Sequence, residues 1–341
     1  MERSKISAIL CAIGVLVLIL DTKTAIMGAW EGISLCLETV VPSLFLFLFL
    51  TSMITANSLT RTTVLLRPLW HLMGIPEKAG PLWLVGTVSG YPIGAKNVAD
   101  ACRRGFLSPA HCRRMLAFCS NAGPGFLFGI GSRLFTASWM CWAVWGIQVI
   151  TAVIVAMLTP KCEGNAEFVP AGEVTSVQEA MISAIRTMAM ICGWVILFRV
   201  ILTFFDRWFL WRFPAWASCL FRGALELTNG CCSLKLVQEE SVRFILFSLL
   251  LGFGGMCVTM QTFGVCQGVN PSFYLPGKLT QSILSALLSA IVVSREIRDC
   301  FLYSLLLILV CAVYYLRGRR RKNRIDFLGQ MLYTKRNLHM R

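Results

Sequence analysis

The run "WMCWAVWGIQVITAVIVAML", Trp139 to Leu158, carries no charge over twenty residues. A helix of that length covers about 30 Å, the hydrocarbon thickness of a bilayer. Inside lipid every backbone N–H and C=O needs a partner within the protein, and a helix supplies those partners along its own length. A second run, "FILFSLLLGFGGMCVTM" from Phe244 to Met260, is also uncharged. Only 14% of the 341 residues are Asp, Glu, Lys or Arg, against roughly a quarter in soluble domains. The sequence describes an all-α polytopic membrane protein, with the lipid bilayer as its first partner.

Length and apolarity give about eight transmembrane helices, at roughly 6–20, 33–56, 112–132, 138–158, 180–205, 243–264, 278–294 and 300–316. The start, "MERSKISAILCAIGVLVLIL", has the charged and apolar regions of a signal peptide. Because no clean small-x-small cleavage site follows, it is expected to stay as a first span. Two further segments, roughly 79–98 and 215–237, are apolar but interrupted by polar residues, Gly and Pro. They are too broken for simple spans and are expected to form two re-entrant hairpins.

The net charge is +15, and its placement sets the topology. Arg61, Arg67, Lys78, Lys96, Arg103, Arg104 and Arg113 share the connection 57–113, and "RGRRRKNR", Arg317 to Arg324, follows the last apolar run. The positive-inside rule then puts the N- and C-termini in the cytoplasm. Arg207, Arg212 and Arg222 are exceptions on an outer connection. Basic residues that flank apolar runs, without an aromatic-basic motif, argue against a nucleic-acid partner.

The order of features recurs. A long apolar helix (33–56), a segment broken at Ser89-Gly90 and a helix holding "SNAGP" are followed by a long helix (180–205), a segment broken at Asn229-Gly230 and a helix holding "FGGMCVTMQ". Three spans separate the two copies, so the second is expected to be inverted. Two inverted repeats with paired broken helices point to a transport site near the bilayer midplane. The chain divides into 1–25, a first helix; 26–158, the first repeat; 159–179, a polar cytoplasmic linker; 180–299, the second repeat; and 300–341, a last helix with a basic tail.

Within "VSGYPIGAKNVAD" a half-helix beginning after Ser89-Gly90 presents free N–H groups and a positive dipole end, which suit an anion. Gly90 and Gly94 let a ligand approach the backbone, and Lys96 adds a full charge. Lys96→Ala is then expected to reduce transport without blocking insertion. The alternative is a tight turn with Lys96 reaching to the headgroups. Ser120 and Asn121, placed mid-span in the third helix, form a second polar point or a packing contact. In "LELTNGCC", Glu226, Thr228 and Asn229 match the first break, and Thr259 and Gln261 complete the set. Glu226 either couples transport to a proton or sodium ion or pairs with Arg222.

No GxSxG, HExxH or carboxylate cluster is present, so no enzyme is expected. The three histidines lack Cys partners and the fifteen cysteines form no CxxC pair. No metal or other cofactor is expected, and buried Cys serves as a small hydrophobe.

"SGYPIGAK" followed by "LAFCSNAGPGFLFG", with "ALELTNG" and "LLGFGGMCVTMQ" in the second half, resembles the sporulation integral membrane protein family YlbJ, also named SpoVV. The likeness covers about residues 30–316. The resemblance implies the nucleoside-recognition or Gate domain and a concentrative-nucleoside-transporter-like fold. It further implies movement of dipicolinic acid, a small aromatic dianion, across the outer forespore membrane during sporulation. It implies site roles for Ser89, Gly90, Lys96, Asn121 and Asn229. A nucleoside or amino-acid transporter of the same fold, or a non-transporting protein of spore-envelope assembly, are the other readings.

Overall fold

The computed structural model describes residues 2–54, 64–162 and 176–338. Among them every regular element is a helix. α1 is Glu2–Leu20. α2 (Thr22–Leu35) runs through a π-helical turn at Cys36–Val40 into α3 (Val41–Ile54). After α4 (Arg67–Met73) come α5 (Gly80–Ser89) and α6 (Ile93–Arg103), then α7 (Pro109–Met115), α8 (Pro124–Leu134) and α9 (Ser138–Leu158). The second half holds α10 (Val177–Trp208), α11 (Ala215–Leu225), α12 (Leu227–Ser233), α13 (Glu240–Phe253), α14 (Gly255–Val265), α15 (Tyr274–Val293) and α16 (Ile297–Leu338).

Among the described residues six helices are long and apolar enough to cross a membrane: Thr22–Leu50, Ser138–Leu158, Val177–Trp208, Glu240–Val265, Tyr274–Val293 and Ile297–Arg319. They match six of the eight expected spans. The expected span at 6–20 lies in α1, whose apolar part, Cys11–Leu20, is shorter. The expected continuous span at 112–132 is corrected. α7 and α8 are separated by residues 116–123, which are not helical. Gly123 and Pro124 start a new helix there, because Pro at the first helical position needs no N–H partner. The span expected at 243–264 is likewise split at Gly254 and Gly255, both with positive φ. Arg61, residues 55–56 and residues 163–175 of the expected linker lie outside the described residues.

The segments at 79–98 and 215–237 form helical hairpins, α5–α6 and α11–α12, each packed on itself. The two halves show one order of elements: long helix, hairpin, broken helix, long helix. α2 and α3 pack along α10, and α9 packs along α15. Trp139 and Trp142 at the start of α9, and Trp208, Trp211 and Trp216 near the end of α10, are exposed. If both helices cross, those ends share one side, where an aromatic belt suits the interface.

Candidate functional site

The hairpin α5–α6 turns at Gly90, whose φ of 86° with ψ near 180° is open only to glycine. The turn presses against the break between α7 and α8. A Cβ on Gly90 would lie 2.9 Å from the Gly123 nitrogen, and one on Gly94 would lie 2.0 Å from the Cys119 carbonyl oxygen. The motifs "SGYPIG" and "SNAGP" therefore meet backbone to backbone. Gly94→Ala is expected to push hairpin and break apart and to destabilise the protein by about 1–3 kcal/mol. Gly146→Ala, where a Cβ meets nothing within 4 Å, is the control. Equal thermal unfolding midpoints for the two variants would contradict this close packing.

Lys278 projects from α15 into this junction and is fully buried. Its Nζ donates to the Ser120 carbonyl at 2.9 Å and to Gln281 Oε1 at 2.7 Å. Gln281 Nε2 donates to Asn121 Oδ1 at 2.8 Å and to the Gln148 carbonyl at 3.2 Å. Asn121 Nδ2 and the Trp83 indole both donate to the Phe118 carbonyl. Two carbonyls of the break, Phe118 and Ser120, are thus held by an amide, an indole and one ammonium. Lys278 makes no ion pair with a described carboxylate. Its Nζ lies 5.7 Å from the centroid of the Tyr91 ring, a cation–π contact. Ser120 Oγ, Gln148 Oε1 and Ser248 Oγ are buried without a hydrogen-bond partner among the described residues. Tyr91 also reaches the second half: its hydroxyl donates to the Leu251 carbonyl at 3.4 Å, one turn before the Gly254 break.

In the second half Glu226 interrupts the hairpin and caps α12. Its buried carboxylate accepts from the Thr228 N–H at 3.1 Å, the Asn229 N–H at 2.7 Å and Asn229 Nδ2 at 2.6 Å. The hairpin packs on the break between α13 and α14, where a Cβ on Gly255 would lie 2.8 Å from the Gly223 carbonyl oxygen. Arg222 does not pair with Glu226. It bonds Asp206 at 2.9 Å, and Asp206 lies 3.7 Å from Arg199.

The residues expected from sequence separate into groups. Ser89, Gly90, Gly94, Ser120 and Asn121 come together at the first junction. Ser120 and Asn121 are in the break itself, not inside a continuous helix. Glu226, Thr228 and Asn229 form the second cap. Thr259 bonds back to the Gly255 carbonyl at 2.9 Å, and Gln261 bonds Cys257 Sγ at 3.3 Å, so both satisfy their own helix α14. Lys96 lies inside α6 and pairs with Asp100 at 2.9 Å. Asp100 also pairs with Arg103. Lys96 therefore has a counter-charge within its own helix, shared with Arg103. Lys278, Gln281, Gln148 and Tyr91 were absent from the expected set.

No family model and no solved structure matches the chain. Over 342 aligned residues it is 25% identical to the sporulation integral membrane protein YlbJ of Bacillus subtilis (strain 168), covering 84% of this chain and 83% of that protein.

Proposed function

The chain is a relative of the sporulation integral membrane protein YlbJ, and from that premise we propose that it transports a small organic anion, dipicolinate, during sporulation. The observation that carries the anion class is Lys278: a fully buried lysine, without a carboxylate partner among the described residues, at the meeting point of a hairpin turn and a broken helix. Burying a lone ammonium is costly unless a counter-charge arrives, and a carboxylate substrate supplies one. The Asn121, Gln281 and Gln148 amides add neutral donors and acceptors around it.

The like order of elements in the two halves supports inverted Gate-type repeats with the site near the midplane. Glu226, buried in the second hairpin, is the group we assign to a coupling ion, H+ or Na+. We place both termini in the cytoplasm, and the protein in the outer forespore membrane, on charge placement and on the family likeness respectively. No catalytic step and no cofactor belong to this reading.

Uptake of labelled dipicolinate into proteoliposomes tests it, with labelled uridine as the neutral comparison. Uptake of dipicolinate, competed by other small dicarboxylates and not by uridine, is the expected result. Uptake of uridine instead returns the chain to the nucleoside class. Absence of uptake of either, with polar positions of both hairpins replaceable by apolar residues without loss of sporulation, favours an envelope-assembly role. Because Asp100 pairs with Lys96, Lys96→Ala is expected to keep more uptake than Lys278→Met; the reverse order would restore Lys96 as the substrate's counter-charge.

A further inference from the structure

α16 docks on the chain where α9 ends. The Tyr314 and Thr159 hydroxyls lie 3.0 Å apart, and a Cβ on Gly318 would lie 2.9 Å from Pro160 Cδ. The segment after α9 is held in place from the other side. Arg114 donates to the Thr159 carbonyl at 3.4 Å and to the Pro160 carbonyl at 3.1 Å. Lys161 follows Pro160, and its stem lies along Gly74, where a Cβ would come 3.1 Å from its Cγ and Cε. Gly318 stands between Arg317 and Arg319. The contact of Pro160 with Gly318 therefore sets Lys161 beside those two arginines.

All three cations are exposed, and none forms an ion pair with another described residue. The candidate span on α16 ends at Arg319, which puts this end in the headgroup layer, about 5–8 Å thick on each side of a bilayer. The backbone of α16 continues as a helix, and the sequence adds Arg320, Arg321, Lys322 and Arg324 within about 8 Å of rise. Toward the membrane the surface turns apolar: Val313 and Leu316 of α16 and Met157 of α9 are exposed. The opposite end of α16 differs. Arg298 there has carboxylates at hand, Glu296 at 3.7 Å and Asp299 at 3.8 Å.

We propose that the ends of α9 and α16 bind the phosphate headgroup of an anionic phospholipid, with Lys161, Arg317 and Arg319 as its contacts. A topology signal needs only positive charge near the end of a span. Here two distant parts of the chain bring cations together at headgroup depth, beside exposed apolar surface, and that combination recognises anionic lipid. The guanidinium fork matches phosphate oxygens, and the lysine adds a compact point charge. A free phosphate or a nucleic acid would use the charges and leave the apolar surface uncovered. The site does not depend on the identity of the transported solute.

Titration of the full chain in detergent with phosphatidylglycerol, and with phosphatidylcholine of the same acyl chains, tests it. Native mass spectrometry counts bound lipid, and the unfolding midpoint reports stabilisation. Wild type is expected to prefer phosphatidylglycerol, less so as salt rises. The triple variant Lys161→Gln, Arg317→Gln, Arg319→Gln is expected to lose about a hundred-fold in that affinity, near five-fold for each cation, with phosphatidylcholine unaffected. Lys161→Gln alone leaves the arginine run that orients α16 and should show the single five-fold step, about the same factor as any one cation. Arg298→Gln should bind like wild type. A wild type that does not distinguish the two lipids, or a Lys161→Gln variant that binds phosphatidylglycerol like wild type, would overturn the proposal. So would inorganic phosphate that stabilises as fully as the lipid, which makes this a free-anion site, or an oligonucleotide that displaces the lipid and binds more tightly.

Discussion

Lys278→Met is expected to lower uptake of a dicarboxylate roughly a hundred-fold or more, matching the 2–5 kcal/mol lost when a buried charge loses its partner. Methionine keeps most of the volume and removes the ammonium. Two acceptors, the Ser120 carbonyl and Gln281 Oε1, lose their donor, so some loss of stability accompanies the loss of charge. Two readouts separate the effects. Dipicolinate should raise the unfolding temperature of wild type and leave that of Lys278→Met unchanged, because a ligand stabilises only the protein that binds it. Lys278→Arg keeps the charge in a different geometry and should recover part of the uptake. A Lys278→Met protein that unfolds earlier yet still gains stability from dipicolinate would make Lys278 a structural residue of the 116–123 break.

What the sequence disclosed depended on whether the signal was local. The two hairpins were legible because Gly90, Pro92 and the polar cluster at 226–229 interrupt apolar runs, and lipid tolerates such breaks only where protein or water satisfies them. The break at 116–123 was hidden by its apolar surroundings, although Gly123-Pro124 carries an ordinary helix-start signal. The pairing of Lys96 with Asp100 was also local, at the spacing that joins opposite charges on a helix. The half-helix dipole offers a competing role for Lys96 in the same sequence. Lys278 was missed for a different reason. In an apolar span beginning at residue 278, Lys278 reads as a boundary cation. Extended back to Tyr274, the helix puts Lys278, Gln281, Ser282, Ser285 and Ser289 on one face, all buried. A polar stripe of helical period inside an apolar span has to face protein. The contact of Lys278 with the Ser120 carbonyl joins residues 158 apart, and no window of sequence carries that information.

Arg114→Met is expected to give the largest loss of stability, about 3–5 kcal/mol, the range for removing one member of a buried charged network. Arg114 is 1% exposed, and its guanidinium gathers carbonyls from the ends of two helices. It donates to Met73 at 2.6 Å and Gly74 at 3.0 Å, at the end of α4, and to Ala156 at 2.7 Å and Pro160 at 3.1 Å at the end of α9. Helix ends leave their last carbonyls without intrahelical partners and carry partial negative charge, so one planar cation with five donors satisfies both ends at once. The same side chain lies over the Phe118 ring at 5.3 Å, which ties the two ends to the break that holds Ser120 and Asn121. A lysine has the charge but not the fork, so Arg114→Lys should fall between wild type and Arg114→Met. The measurement is the thermal unfolding midpoint of the purified protein, read beside dipicolinate uptake. If Arg114→Met unfolds at the wild-type temperature, the carbonyl cluster is not what fixes the break. If it unfolds early and also loses uptake while Lys278 is intact, the geometry of the 116–123 segment, and not only the charge beside it, governs the site.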